Sequence, residues 1–263
     1  EADSGVSAML GGYAGKVLTV DLAKKLVKVE GLDEVLARKY IGGSGFAAKI
    51  LYDETGPETD PLGPGNPLIF MTGPFTGTRV PLSGRHAVVA KSPLTCLWGE
   101  SDVGGKWGVE LKKAGYDGAV FRGKAEKPVY VWIDDDSIQM MDAKHLWGKS
   151  PQETEDIIKD DLGDIYVRVA AIGVAGEKLV RIASIMNDRS RACGRCGLGA
   201  VMGSKNLKAI AVRGSKDVQV AKMDEFLEFV KMLHERMKGP AARKYRTLGT
   251  PENVLVLNAL GAL

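Results

Sequence analysis

The chain has 263 residues, 44% of them hydrophobic and 26% charged, with a formal net charge of +3 and a pI near 8.6. That balance belongs to a globular protein with enough apolar material for a sizeable core, one large domain plus a partial one, and its mild basicity demands neither nucleic acid nor an anionic membrane as partner. No apolar run of about 18 residues is long enough to span a bilayer, the first residues lack a signal peptide's pattern, and three cysteines do not make a secreted disulfide framework, so a cytoplasmic protein is expected.

Residues 1–10 are polar and patternless and read as a flexible terminus. "GKVLTVDL" (15–22) alternates apolar and polar side chains and precedes "KLVKVE" (25–30), which predicts a β-hairpin. Residues 33–54 have helical spacing with acidic residues at the start, interrupted by Gly42, Gly43 and Gly45. Strands are predicted at 66–73 and 86–92, a helix at 104–115, a buried strand at 118–124, and a second hairpin from "PVYVWIDDD" and "SIQMMDA". Ser150 is placed to cap a helix over 150–163, followed by strands at 167–173 and 180–187, a helix from about Cys196 to Asn206, and a strand at 208–214. Residues 223–238 form a strong amphipathic pattern, and a domain boundary is expected near 215–222.

Two stretches match at a constant offset of 91 residues: "GGKWGVELKKAGYDGAVFRG" (104–123) and "RCGLGAVMGSKNLKAIAVRG" (195–214). Gly108 falls on Gly199, and Arg122-Gly123 falls on Arg213-Gly214. The same order of elements around both predicts a duplicated strand–loop–helix–strand unit. Such a duplication would present two helix N-termini, each suited to a phosphate by its unpaired N–H groups and dipole.

Glycine is enriched, at 33 residues, and concentrates around these loops. In "RACGRCGLG" (191–199) arginines offer planar forks to phosphate oxygens while glycines let the backbone approach an anion, although a solvated surface loop accounts for the pattern as well. Arg79 and Arg85 lie around Gly84 as an anion-loop signal, and Asp102 just before Gly104-Gly105 reads as a helix start or a simple cap. Cys193 and Cys196 admit a redox pair, half a metal site completed by Cys96 and His86, or two packed thiols, the last being favoured because only one such pair exists. His86, His145 and His234 show no ligand spacing, and no Walker loop or nucleophile–base motif occurs. The residues alone describe an anion-binding domain.

Taken together, "GPFTGTRVPLSGR", "KSPLT", "ELKKAGYDGAVFRGKAEKPVYVWI", "HLWGKSPQETE" and "IMNDRSRACGRCGLGAVMGSKNLKAIAVRG" resemble the N-terminal domain of the tungsten-containing aldehyde:ferredoxin oxidoreductases. The resemblance implies an α+β fold, two β-sheets related by a pseudo-twofold with flanking helices, over residues 11–216, with 217–263 starting a helical domain. It also implies a bis-pterin tungsten or molybdenum cofactor lined by Arg85, Asp102, Gly104, Arg191, Ala192 and Gly194. A magnesium ion would take the main-chain carbonyls of Asp102 and Ala192, Asp102 standing where the family carries asparagine. The implied reaction converts an aldehyde to a carboxylic acid with oxygen from water, passing electrons to ferredoxin through a 4Fe–4S cluster whose cysteines lie beyond residue 263. A homodimer is compatible with this assignment, as is the alternative of a stand-alone module for a phosphorylated ligand without redox activity.

Overall fold

The computed structural model describes residues 11–263, so the expected flexible terminus at 1–10 lies outside the described residues. The described chain forms two compact units, one of residues 11–78 with Ser83–Gln219, the other of Arg79–Leu82 with Val220–Leu263.

The first unit holds two six-stranded sheets. Its first half runs β1 (Lys16–Asp21), β2 (Leu26–Gly31), α1 (Glu34–Tyr40), α2 (Ser44–Glu54), β3 (Leu68–Thr72), β4 (His86–Lys91), β5 (Trp98–Val103), α3 (Trp107–Lys113) and β6 (Gly118–Arg122). Its second half runs β7 (Val129–Asp134), β8 (Ser137–Asp142), a 3₁₀ turn (Lys144–Leu146), α4 (Pro151–Leu162), β9 (Arg168–Ala171), α5 (Val174–Glu177), β10 (Ile185–Asn187), β11 (Arg191–Cys193), α6 (Leu198–Ser204) and β12 (Leu207–Arg213). The strand orders are β2-β1-β6-β3-β4-β5 and β8-β7-β12-β9-β10-β11, so the sheets match strand for strand. In each, one pair is parallel, β1 with β6 and β7 with β12, and the remaining neighbours are antiparallel. The helices α3 and α6 keep the 91-residue offset seen in the sequence at both of their ends.

Strand alternation distributes side chains between layers. Leu68, Phe70, Val88 and Ala90 face a central core shared with α3, α6 and Val131, Ile133 and Ile210 of the other sheet. Ile69, Met71, Ala87 and Val89 face the opposite way, onto Phe46, Ala47 and Leu51 of α2. The second sheet repeats this, with Tyr130, Trp132, Ala209 and Ala211 packed beneath Ile158 of α4. Burial on both faces is why β3 and β4 read as continuous apolar runs.

Four sequence expectations change. The helix expected over 33–54 is two: Asp33 caps α1 by accepting from Val35 N–H at 2.7 Å, and the chain breaks at Ile41 (φ 66°) and Gly42 (φ 153°) before α2 begins. The helix expected over 104–115 starts only at Trp107, because residues 104–106 form the loop after β5, with Gly105 at φ 101°. The strand expected over 180–187 is confined to Ile185–Asn187, since Val180 follows the helical turn α5 and Ile182 is exposed. β11 occupies part of what reads as a loop. Ser150 does cap α4, in a full capping box with Glu153.

The second unit contains α7 (Met223–Lys238), α8 (Pro240–Thr247), a 3₁₀ turn (Thr250–Asn253) and α9 (Val254–Ala259). Val230 is its one buried hydrophobic side chain among the described residues.

Candidate functional site

Each half ends in a corner where its last antiparallel strands turn into a helix. In the first, Arg85 immediately precedes β4 and Asp102 sits near the end of β5, opposite Ala87 in the ladder. Arg85 Nη1 donates to the Asp102 carbonyl at 3.3 Å. Both residues line a cavity of about 310 Å³ together with His86 and with Gly42, Gly43 and Ser44 at the start of α2. Those three residues were not singled out as site residues from the sequence; their only signal was the glycine run that breaks a helical pattern.

Beneath this cavity lies a buried ion pair. Lys112 Nζ binds the Asp117 carboxylate, the Gly73 carbonyl at 3.2 Å and Thr72 Oγ1 at 3.3 Å, fixing the turn at Gly73. Burial pulls the Lys112 ammonium below the usual lysine range, against the opposing pull of Asp117. The His86 ring packs 4.9 Å from Trp107 and 6.2 Å from Phe70, and burial lowers its pKa to about 3, so it is neutral.

In the second corner Arg191 and Ala192 belong to β11, opposite Asn187 and Met186, and Gly194 follows directly. Arg191, Ala192, Arg85 and Asp102 are all exposed. A Cβ added to Gly104 or Gly194 would meet no atom within 4 Å, so both corners present open backbone.

The corners meet at Gly105. Its φ is 101°, and a Cβ there would fall 2.2 Å from Asp188 Oδ2, 2.9 Å from Asn187 Nδ2 and 3.2 Å from Arg191 Cγ. Only glycine allows that approach. Asn187 Nδ2 donates to the Gly104 carbonyl at 3.0 Å, and Asp188 accepts from Lys106 N–H, so the loop after β10 grips the loop after β5. Trp107 adds a further tie by donating from Nε1 to the Ile210 carbonyl of β12 at 3.0 Å. The six residues expected at the site therefore come from two corners joined along a single seam.

At each of the two helix N-termini one amide is already engaged. The Lys106 amide before α3 is taken by the Asp188 carboxylate, and the Gly199 amide in α6 donates to the Ala183 carbonyl at 2.9 Å. The cationic groups left open at the seam are side chains instead, including Arg191, which pairs with no carboxylate among the described residues. Two guanidinium groups beside unobstructed glycine backbone fit an anionic group carrying more than one phosphate.

Cys193 is buried in the central core, where burial and the nearby Asp102 carboxylate push its thiol up. Cys196 Sγ donates to the Glu100 carbonyl at 3.4 Å, while Cys96 is exposed. Among the described residues no group of three or more His, Cys, Asp or Glu side chains is placed to hold a metal, and no helix is long and apolar enough to cross a membrane.

A duplicated α+β frame of two matching six-stranded sheets, with two glycine-and-arginine corners meeting at Gly105, defines the class of domain. The chain belongs to the aldehyde ferredoxin oxidoreductase family: the model of its N-terminal domain matches residues 17–214. It is 48% identical over 255 residues to the tungsten-containing aldehyde ferredoxin oxidoreductase of Pyrococcus furiosus, covering 95% of this chain and 42% of the relative. The Thermococcus kodakarensis protein of the same name is 47% identical over the same length, with the same coverage. A solved structure, the active site complex BamBC of benzoyl coenzyme A reductase with 1,5-dienoyl-CoA, superposes with a TM-score of 0.86 at 43% identity, over 88% of this chain and 35% of its own. The chain thus spans well under half the length of these relatives.

Proposed function

We propose that this chain is the part of a cytoplasmic aldehyde ferredoxin oxidoreductase that holds a bis-pterin tungsten or molybdenum cofactor. When bound, the cofactor supplies the two-electron chemistry that turns an aldehyde and water into a carboxylic acid, with a 4Fe–4S cluster outside these residues passing electrons to ferredoxin. Arg85 and Arg191, one from each corner, would hold the pterin phosphates by charge-assisted bonds. The carbonyls of Asp102 and Ala192 would offer hard oxygen ligands to a magnesium ion. Gly104 and Gly194 leave the backbone bare for close approach, and the grip of Asn187 and Asp188 on the opposite loop holds both corners in register.

The seam at Gly105 carries this reading, because it brings Arg191 within reach of the loop that follows β5, the strand that holds Asp102, the residue bonded by Arg85. Metal and pterin analysis of anaerobically purified full-length protein tests it. Tungsten or molybdenum with paired pterins is expected, and Arg85→Ala or Arg191→Ala should each lower cofactor retention by about tenfold or more, since a charge-assisted contact contributes about 1.5–3 kcal/mol. Full retention in both variants refutes the assignment.

The reaction has a rival supported by the 43% identity to a benzoyl coenzyme A reductase complex. Relatives with different printed activities match this domain at similar identity, so substrate choice belongs to sequence outside it. Turnover of an aldehyde with ferredoxin, compared with turnover of benzoyl coenzyme A, separates the two.

A further inference from the structure

Lys91, the last residue of β4, is a buried cation without a counter-charge. It is 8% exposed, and buried Asn66 fixes its backbone, accepting from the Lys91 N–H at 2.9 Å and donating to its carbonyl at 3.0 Å. Lys91 Nζ donates to the carbonyls of Gly56 and Pro57, just past the end of α2, at 2.9 and 2.7 Å. An ammonium has three protons to donate, and among the described residues neither a third acceptor nor a carboxylate meets this one. Buried charges are normally paired, so one position on this ammonium is left for an anion.

The same ammonium lines a cavity of about 650 Å³, a size ordinary for a small-molecule site. Lys91 stands opposite Trp98 in the ladder of β4 with β5, so both side chains leave the sheet on the face that α2 covers. Tyr40, Tyr52 and Leu97 complete the walls with Trp98. Trp98 is held as a platform, its Nε1 donating to Glu100 at 3.0 Å. Lys49 also lines the cavity, but its charge is matched by Asp53 one turn along α2. Lys91 is the cation that remains.

We propose that this cavity binds an aromatic carboxylate, with the carboxylate on Lys91 Nζ and the ring against Trp98 and the two tyrosines.

The lining selects that class. One unmatched cation among apolar and aromatic walls calls for a single negative charge on a flat apolar body. A phosphate group has more oxygens to satisfy and would find one donor here, where each glycine-and-arginine corner offers a guanidinium fork. Acetate would answer the charge and leave the aromatic walls in water, whereas a neutral ring would cover the walls and leave the ammonium unmatched. Carboxylic acids are also the product class of the proposed oxidation, but binding at Lys91 needs no turnover and stands or falls separately from that reading.

Calorimetric titration of the full-length protein with benzoate, benzamide, acetate and inorganic phosphate reads the site directly. Saturable benzoate binding is expected, with benzamide weaker by at least about tenfold because it lacks the charge. Neither acetate nor phosphate should displace benzoate at equal concentration. Lys91→Met should abolish binding. Because that substitution also strips the Gly56 and Pro57 carbonyls of their donor, a second variant guards the test: Tyr52→Glu changes a side chain that is 85% exposed and sets a negative charge at the cavity mouth. It should weaken benzoate severalfold with unchanged circular dichroism. Crystals grown with 4-bromobenzoate should place the bromine in this cavity. Absence of saturable benzoate binding, benzamide binding as tight as benzoate, an affinity unaltered by Tyr52→Glu, or bromine located elsewhere overturns the proposal, and displacement by phosphate overturns the carboxylate class.

Discussion

The two halves of the first unit share a backbone plan but fill it differently. At equivalent places, Trp107 begins α3 and Leu198 begins α6. Around Trp107 lies an aromatic group of Phe70, His86 and Phe121, whereas the surroundings of Leu198 include Cys193, Val201 and Met202. What persists in both halves is the anchoring at the strand ends. Arg122 Nε donates to Glu54 at the end of α2 at 2.8 Å, and Arg213 Nε donates to Asp164 just beyond α4 at 2.9 Å. A doubled fold thus keeps the ties that set where helices cross its sheets and lets the packing between them diverge.

Glycines at the second position of the equivalent helices give the largest test of that comparison. A Cβ on Gly199 would meet the backbone at Ser184 O (2.5 Å) and Ala183, while one on Gly108 would meet the His86 ring at 2.7 Å. Backbone yields less than a side chain, so Gly199→Ala should destabilise by about 3 kcal/mol and Gly108→Ala by about 2 kcal/mol in denaturant titrations. Adding His86→Ala should recover part of the Gly108→Ala loss, and equal costs with no recovery would contradict the difference drawn here.

Only the first half carries a buried histidine, which gives it a distinct response to acid. The pKa of His86 is about 3 when folded against about 6.5 when unfolded, so between those values the unfolded chain binds the extra proton. Stability from this group is therefore complete above about pH 6.5 and declines as pH falls toward 3, by about 1.4 kcal/mol per pH unit at the steepest. His86→Phe should flatten the melting temperature's dependence on pH between 6.5 and 4.5, and an unaltered slope would count against the assignment.

The repeated arginines differ more modestly. Arg213 also binds Glu110, which is 8% exposed, through Nη1 at 2.9 Å, whereas Arg122 has Glu54 as its carboxylate partner. Arg213→Ala should cost about 2 kcal/mol because it leaves a buried carboxylate poorly paired, and Arg122→Ala about 1 kcal/mol. The smallest effect is expected for Asp102→Asn. Its carbonyl, not its exposed side chain, bonds Arg85, so stability should change by less than about 0.5 kcal/mol and cofactor content should hold.

Much of this arrangement was legible in the residues. The offset that aligns Gly108 with Gly199 and Arg122 with Arg213 pointed to the duplication, since close helix-to-strand approach demands small residues at fixed places in each half. The polar strands β5 and β11 escaped notice because each is an edge strand with little apolar content: of "WGESDV" only Gly99 and Val103 are buried, and of "RAC" only Cys193. Placement of the α2 start beside Arg85 depends on the turn at Ile41 and Gly42, and sequence periodicity carries no information on the direction a chain takes after such a turn. Arg85 and Arg191 came from the resemblance together with loop composition; their junction through Gly105 is a tertiary fact.

Gly105 also bears on how such a domain can change over generations. Two lobes that touch where a hydrogen atom replaces a methyl group have no clearance, so a drift in either must be answered by the other at that spot. Insertions should accumulate along the outer rims of the sheets and be purged from the loops on either side of this contact, leaving the innermost joint the slowest-changing part of an otherwise adaptable scaffold.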